Sequence, residues 1–171
     1  LAWIGLAFAI GREFGRKASE HVINVAPEAN RRIEDLAYVP GRLVEYEGGG
    51  DETRSNRFLA ERQQHMFIEI NPVAANDRGI RHGEDVWVTT PTGARIKVKA
   101  QVTERVDKGT TFMPYHFAGH LQGADMRPFY PAGAAPIILG EAVNTATTYG
   151  YDSVTMMQET KTTVCQVERA A

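Results

Sequence analysis

The sequence predicts a mainly β fold with short helices, its strands closed into a barrel. Three observations predict it. Short apolar runs recur from Tyr38 onward, separated by Gly, Pro and Asn turn signals. One run alternates strictly: Ile96, Val98, Ala100 and Val102 on one face, Lys97, Lys99 and Gln101 on the other. Between the runs only short helical stretches fit, too few to cover both faces of an open sheet. Barrel closure leaves no exposed edges.

The elements follow in order. Residues 1–36 read as a helical segment of unclear role, with Pro27 opening a helix and Glu28 in its first turn. Its first ten residues, Leu1 to Ile10, are apolar, but a membrane span needs about 20. The chain starts with Leu and is expected to be processed or a piece of a longer polypeptide. Residues 37–171 form the second domain. Arg42 to Tyr46 is a predicted strand entered through Pro40-Gly41, running into Gly48-Gly49-Gly50. Thr53 to Gln64 is a loop and then a short helix. Met66 to Ile70 is a strand. Asn71 caps a short helix with Pro72 at its first position and Gly79 just past its end. Asp85 to Thr90 is a strand, Pro91-Thr92-Gly93 a turn, and the alternating run the next strand. Thr110 to Met113 is a further strand. A long irregular stretch is expected from His116 to about Ala135. Asn144 to Asp152 is polar and turn-rich, and Thr162 to Val167 is the last strand.

Composition limits the function. Nineteen Lys and Arg against 21 Asp and Glu give a net charge of −2. No general attraction to nucleic acid or anionic membrane follows. A single cysteine excludes an internal disulfide framework and a Cys-rich metal site. Cys165 lies in a predicted strand without a basic neighbour, as a buried, inert thiol would. His116 and His120 are four apart, but Phe-Ala-Gly between them makes a zinc pair a poor reading. No nucleophile motif, phosphate loop or dinucleotide fingerprint is present, so a self-sufficient hydrolase or decarboxylase has nothing to stand on. Lys97 and Lys99 read as a solvated face. Binding machinery is better represented. Arg42 follows Gly41, Gly48 to Gly50 bare the backbone, and Arg54 and Arg57 come after. Amides and guanidinium groups of this kind hold phosphate; a flexible surface turn with solvated arginines is the other reading.

Three stretches together resemble one family. They are Pro40-Gly41-Arg42-Leu43-Val44-Glu45-Tyr46; Met66-Phe67-Ile68-Glu69-Ile70-Asn71-Pro72 with Asp77-Arg78-Gly79-Ile80; and Asn144 through Lys161. Residues 37–171 are similar to the C-terminal cofactor-binding domain of the molybdopterin oxidoreductases, and most of all to that of formate dehydrogenase α subunits. The resemblance implies a six-stranded double-psi β-barrel. It implies a bis-molybdopterin guanine dinucleotide cofactor carrying Mo or W, the metal being ligated by a part of the enzyme outside this chain. It implies cofactor contacts at Gly41, Arg42, Leu43, Val44, Glu45, Tyr46, His116, Asn144 and Lys161. Arg42 and Lys161 would offset pyrophosphate charge, and Asn144 would offer a donor and an acceptor to a pterin or guanine edge. Pro40 stands where many relatives have Thr, and Tyr46-Glu47 where many have an aromatic-His pair. The implied partners are the rest of the α subunit and an iron–sulfur subunit, with no nucleic acid and no membrane span. Periplasm and cytoplasm both fit, the respiratory enzymes favouring the periplasm. No catalytic residue is expected on this chain, so alone it would be inactive. The alternative is a stand-alone barrel that binds a protein or nucleotide, because fold does not fix function.

Overall fold

The computed structural model describes residues 36–43, 46, 55–134, 136–147, 154–156 and 163–170. The expected N-terminal helices lie outside them. Six strands close a barrel: β1 (Leu36–Gly41), β2 (Phe67–Ile70), β3 (Asp85–Thr89), β4 (Arg95–Val102), β5 (Thr110–Pro114) and the last strand (Thr163–Arg169). Three short strands precede that last one: β6 (Ala118–Leu121), β7 (Ala124–Asp125) and β8 (Leu139–Glu141). The last strand is therefore β9. Around the barrel the order is β1-β5-β2-β4-β3-β9. The β1–β5 and β2–β4 pairs are parallel, and the other pairs are antiparallel. Crossed parallel pairs joined by antiparallel neighbours are the mixed order that the double-psi expectation calls for.

The alternating run folds as expected. Ile96, Val98 and Ala100 of β4 are buried, while Lys97 is exposed. Tyr38, Ile68, Ile70, Val86, Val88, Met113, Cys165 and Val167 complete the barrel interior. Each fully buried aliphatic side chain contributes roughly 1.5–3 kcal/mol. All four residues of β2 are buried, because its outer face is sealed as well. There Glu69 pairs with Arg105 at 3.0 Å.

Two helices are present among the described residues, α1 (Arg57–Ala60) and α2 (Pro72–Asp77). The second is too short to persist alone. Asn71 caps it, accepting from Val73 N at 3.0 Å while its own amide donates to Val106 O at 2.9 Å. Ala74 and Ala75 anchor it in the core. Gly79 takes φ +63 just past the end, a conformation that costs glycine little.

Two expectations are corrected. The first strand is Leu36–Gly41, not Arg42 to Tyr46. Pro40 therefore sits inside it, and the hydrogen bonds show why that is allowed. Ala37 N donates to Gly109 O, and Gly41 O accepts from Tyr115 N. Odd-numbered residues thus face β5, and Pro40 faces the β9 side. Among the described residues the pairing with β9 reaches Tyr38, and the missing N–H of Pro40 takes nothing from the β1–β5 ladder. After Arg42 the chain turns at once, with Tyr46 N donating to Leu43 O at 3.3 Å. The second correction concerns residues 116–135, which are not irregular throughout. β6 and β7 form a hairpin over Gln122-Gly123, both with positive φ (49° and 84°). Two such residues make a type I′ turn. Gln in the first position hid the signal that Asn would have given.

One buried group carries a prediction. Tyr38 is fully buried, and its hydroxyl has no partner among the described residues. Burial, with Cys165 adding to it, raises its pKa well above the usual phenol value of about 10. The folded state therefore favours the neutral phenol. That share of stability is complete below about pH 10 and is lost as the pH rises above it. Tyr38→Phe should be at least as stable as the parent at pH 7, by up to about 1 kcal/mol. It should also lose less stability between about pH 9 and 11. Urea melts across that range check both statements, and an unchanged alkaline slope would contradict the second.

Candidate functional site

The parallel register of β1 and β5 builds the site. It sets Gly41 beside Pro114, so the residues that follow each strand emerge side by side, though 73 positions apart in sequence. Tyr115 N donates to Gly41 O at 3.1 Å. Arg42 Nε donates to the Tyr115 hydroxyl at 2.6 Å. Gly41 is required for space: a Cβ there would run into the Phe112 ring.

Behind Arg42 lies an aromatic cluster. His116 is buried, with its ring centroid 4.5 Å from Tyr115 and 5.6 Å from Tyr46. Tyr46 meets Phe117 edge-on at 6.4 Å and donates its hydroxyl to Gln63 O at 3.1 Å. His116 has φ 101, a backbone conformation that costs a non-glycine residue about 1–3 kcal/mol and that clusters at functional sites. Leu43 packs on the core. The described structure thus brings Gly41, Arg42, Leu43, Tyr46 and His116 together.

Asn144 lies elsewhere. It sits exposed in a 3₁₀ turn, Val143–Ala146, that packs on β4. β2 separates β4 from β5 in the barrel order. The Asn144 carbonyl accepts from Thr147 N and Oγ1, at 3.4 and 3.0 Å, and its side-chain amide has no partner among the described residues. Val44, Glu45, Lys161, Arg54 and the three glycines 48–50 lie outside the described residues. Arg57 is exposed at the start of α1. Sequence reasoning missed Tyr115, since nothing short of the β1–β5 register could point to it.

Several charges elsewhere are paired with one another. Lys99 and Lys97 reach Asp85 across the β3–β4 pair at 2.7 and 3.6 Å, and the Lys99 hydrogen bond holds that carboxyl below its usual range. Arg127 grips Asp125 with Nε and Nη2 and pulls its pKa down to about 2. Arg169 pairs with Glu84. Arg42 has no acidic partner among the described residues. Its four Nη hydrogens are unpaired there and its side chain is exposed. An open guanidinium fork beside glycine backbone is suited to phosphoryl or carboxylate oxygens.

The sequence matches the family described as "Molydopterin dinucleotide binding domain" over residues 36–164. The chain belongs to this family. As a molybdopterin dinucleotide-binding domain it has curated relatives among formate dehydrogenase subunits. It is 31% identical over 134 residues to F420-dependent formate dehydrogenase 2 subunit alpha of Methanococcus maripaludis, covering 78% of this chain and 17% of that one. It is 32% identical over 131 residues to formate dehydrogenase 2 subunit alpha (cytochrome c-553) of Nitratidesulfovibrio vulgaris, covering 75% of this chain and 12% of that one. The chain thus spans less than a fifth of the length of either. Acetylene hydratase from Pelobacter acetylenicus shares the fold, with a TM-score of 0.63 over 85% of this chain and 19% of that one, at 16% identity. The exposed guanidinium of Arg42, without an acidic partner among the described residues, and the exposed amide of Asn144 are donors that fit an anionic, hydrogen-bonding dinucleotide.

Proposed function

We propose that this domain holds the guanine dinucleotide form of a molybdopterin cofactor, in a bis-pterin arrangement carrying Mo or W. It does so as the C-terminal part of a formate dehydrogenase catalytic subunit. The parent reaction takes formate to carbon dioxide, a proton and two electrons. When bound, the metal–pterin group supplies that two-electron chemistry. This chain supplies binding, orientation and charge. Arg42 neutralises a phosphoryl oxygen through its free Nη edge. Gly41 leaves room for the Phe112 ring, so that the ends of β1 and β5 close and Arg42 is held beside Tyr115. His116, wedged between Tyr115 and Tyr46, presents a rigid wall. Asn144 and Lys161 are the proposed contacts at the far end of the ligand. The rest of the catalytic subunit and an electron-transferring iron–sulfur subunit are the proposed partners.

The observation that carries this reading is the guanidinium of Arg42, exposed and without a counter-charge among the described residues. Charge-assisted hydrogen bonds are worth about 1.5–3 kcal/mol. Arg42→Ala in the full natural polypeptide should therefore retain cofactor at least about tenfold more weakly. Bound pterin nucleotide and metal per chain after dialysis measure this. Wild-type retention in the variant would remove Arg42 from the site, and the presence of Mo or W in the parent would identify the metal.

A further inference from the structure

We infer that Tyr115 is the positioning residue for Arg42, aiming its Nη edge at a phosphoryl group of the cofactor's diphosphate. The inference rests on the reading of Arg42 as a cofactor contact.

Arginine carries a long, rotamer-rich side chain, and binding that orders it from scratch loses affinity. Here the ordering is done beforehand. The Tyr115 hydroxyl takes the Nε hydrogen at 2.6 Å, and Arg42 has no other side-chain bond among the described residues. Tyr115 is itself well fixed. Its backbone N–H is bonded to Gly41 O, its ring lies 4.5 Å from His116, and it packs on the barrel core. With Nε occupied, the end-on Nη1/Nη2 edge is left for the ligand. Two parallel N–H groups there match two oxygens of one phosphoryl group.

The chemistry of the anchor matters as much as its place. Arg105, Arg127 and Arg169 are each tied to a carboxylate, of Glu69, Asp125 and Glu84. Their positive charge is cancelled where they are held. Arg42 is held by a neutral oxygen instead. It is oriented like a salt-bridged arginine, and no carboxylate among the described residues cancels its charge. Phenylalanine at 115 would preserve the ring packing and lose only this anchor.

The test compares wild type, Tyr115→Phe, Arg42→Ala and the double variant in the full natural polypeptide. Bound pterin nucleotide is measured against rising salt, alongside the melting temperature of the cofactor-free protein. Tyr115→Phe should lower retention roughly threefold to tenfold with an unchanged melting temperature. It should lower nothing further in the Arg42→Ala background. A merely structural tyrosine would cost the same in both backgrounds, and that result would overturn the inference. Full retention in Tyr115→Phe with loss in Arg42→Ala would also overturn it, while leaving Arg42 in the site. Full retention in both single variants would remove Arg42 and Tyr115 together.

Discussion

Replacing Glu141 with Ala should lower the unfolding free energy by about 3 kcal/mol, a large part of the roughly 5–15 kcal/mol that a domain commonly has. Glu141 ends β8 and is completely buried. One carboxylate oxygen accepts from Lys97 N of β4 at 3.2 Å and from Gly123 N of the β6–β7 turn at 2.6 Å. It thereby ties the β6–β7–β8 sheet to the barrel wall. The same turn is pressed against Trp87: a Cβ on Gly123 would meet the indole ring, and Arg95 covers that ring at 4.0 Å. Alanine would strand both N–H groups, at about 1–3 kcal/mol for each one left unpaired away from water, and would open a cavity. Glu141→Gln keeps the accepting oxygen. Its amide would take the place of the second oxygen, which has no partner among the described residues. Glutamine should therefore recover most of the loss. Urea unfolding of the three proteins decides it, and an alanine variant within about 0.5 kcal/mol of wild type would show that the clamp carries no weight.

What was legible in the sequence was whatever local chemistry determines. The alternation of Ile96, Val98 and Ala100 marked a strand and its buried face, because side-chain direction there follows from strand geometry alone. Asn71-Pro72 and Gly79 bounded α2 for the same reason, each acting within one turn of its own backbone. What was not legible depends on partners distant in sequence. The strand-breaking character of Pro40 is harmless because its missing N–H faces away from β5, a direction fixed by the β1–β5 register. The pairing of Arg42 with Tyr115 exists only because β1 and β5 run parallel in that register. Nothing near Glu141 in sequence marks it as buried; two N–H groups from other elements enclose it. The three stretches that carried the family resemblance bridged part of that gap, since they put Gly41 and Arg42 forward before the register was known.

Gly41→Val should cost about 2–3 kcal/mol and should weaken cofactor retention at least as much as loss of Arg42 does. Its backbone angles do not require glycine; the space does. The Cβ direction is filled by the edge of the Phe112 ring, which lies on β5 two residues before Pro114, the register partner of Gly41. Forcing a branched side chain into a filled site typically costs about 1–3 kcal/mol, through displaced side chains and backbone. Here the ring that must give way lies between the two strand ends joined by the Tyr115 N to Gly41 O bond, and displacing it disturbs the phenol that anchors Arg42. Stability and ligand binding should therefore fall together. Removing the obstacle tests the cause. Phe112→Ala frees the volume that the introduced valine needs, so the double variant should be more stable than the sum of the two single losses predicts, by at least about 1 kcal/mol. It should also regain cofactor, because the ends of β1 and β5 could close again. Simple additivity would mean that valine acts by some route other than the Phe112 ring, and the close approach of the two strand ends would no longer explain why glycine precedes Arg42.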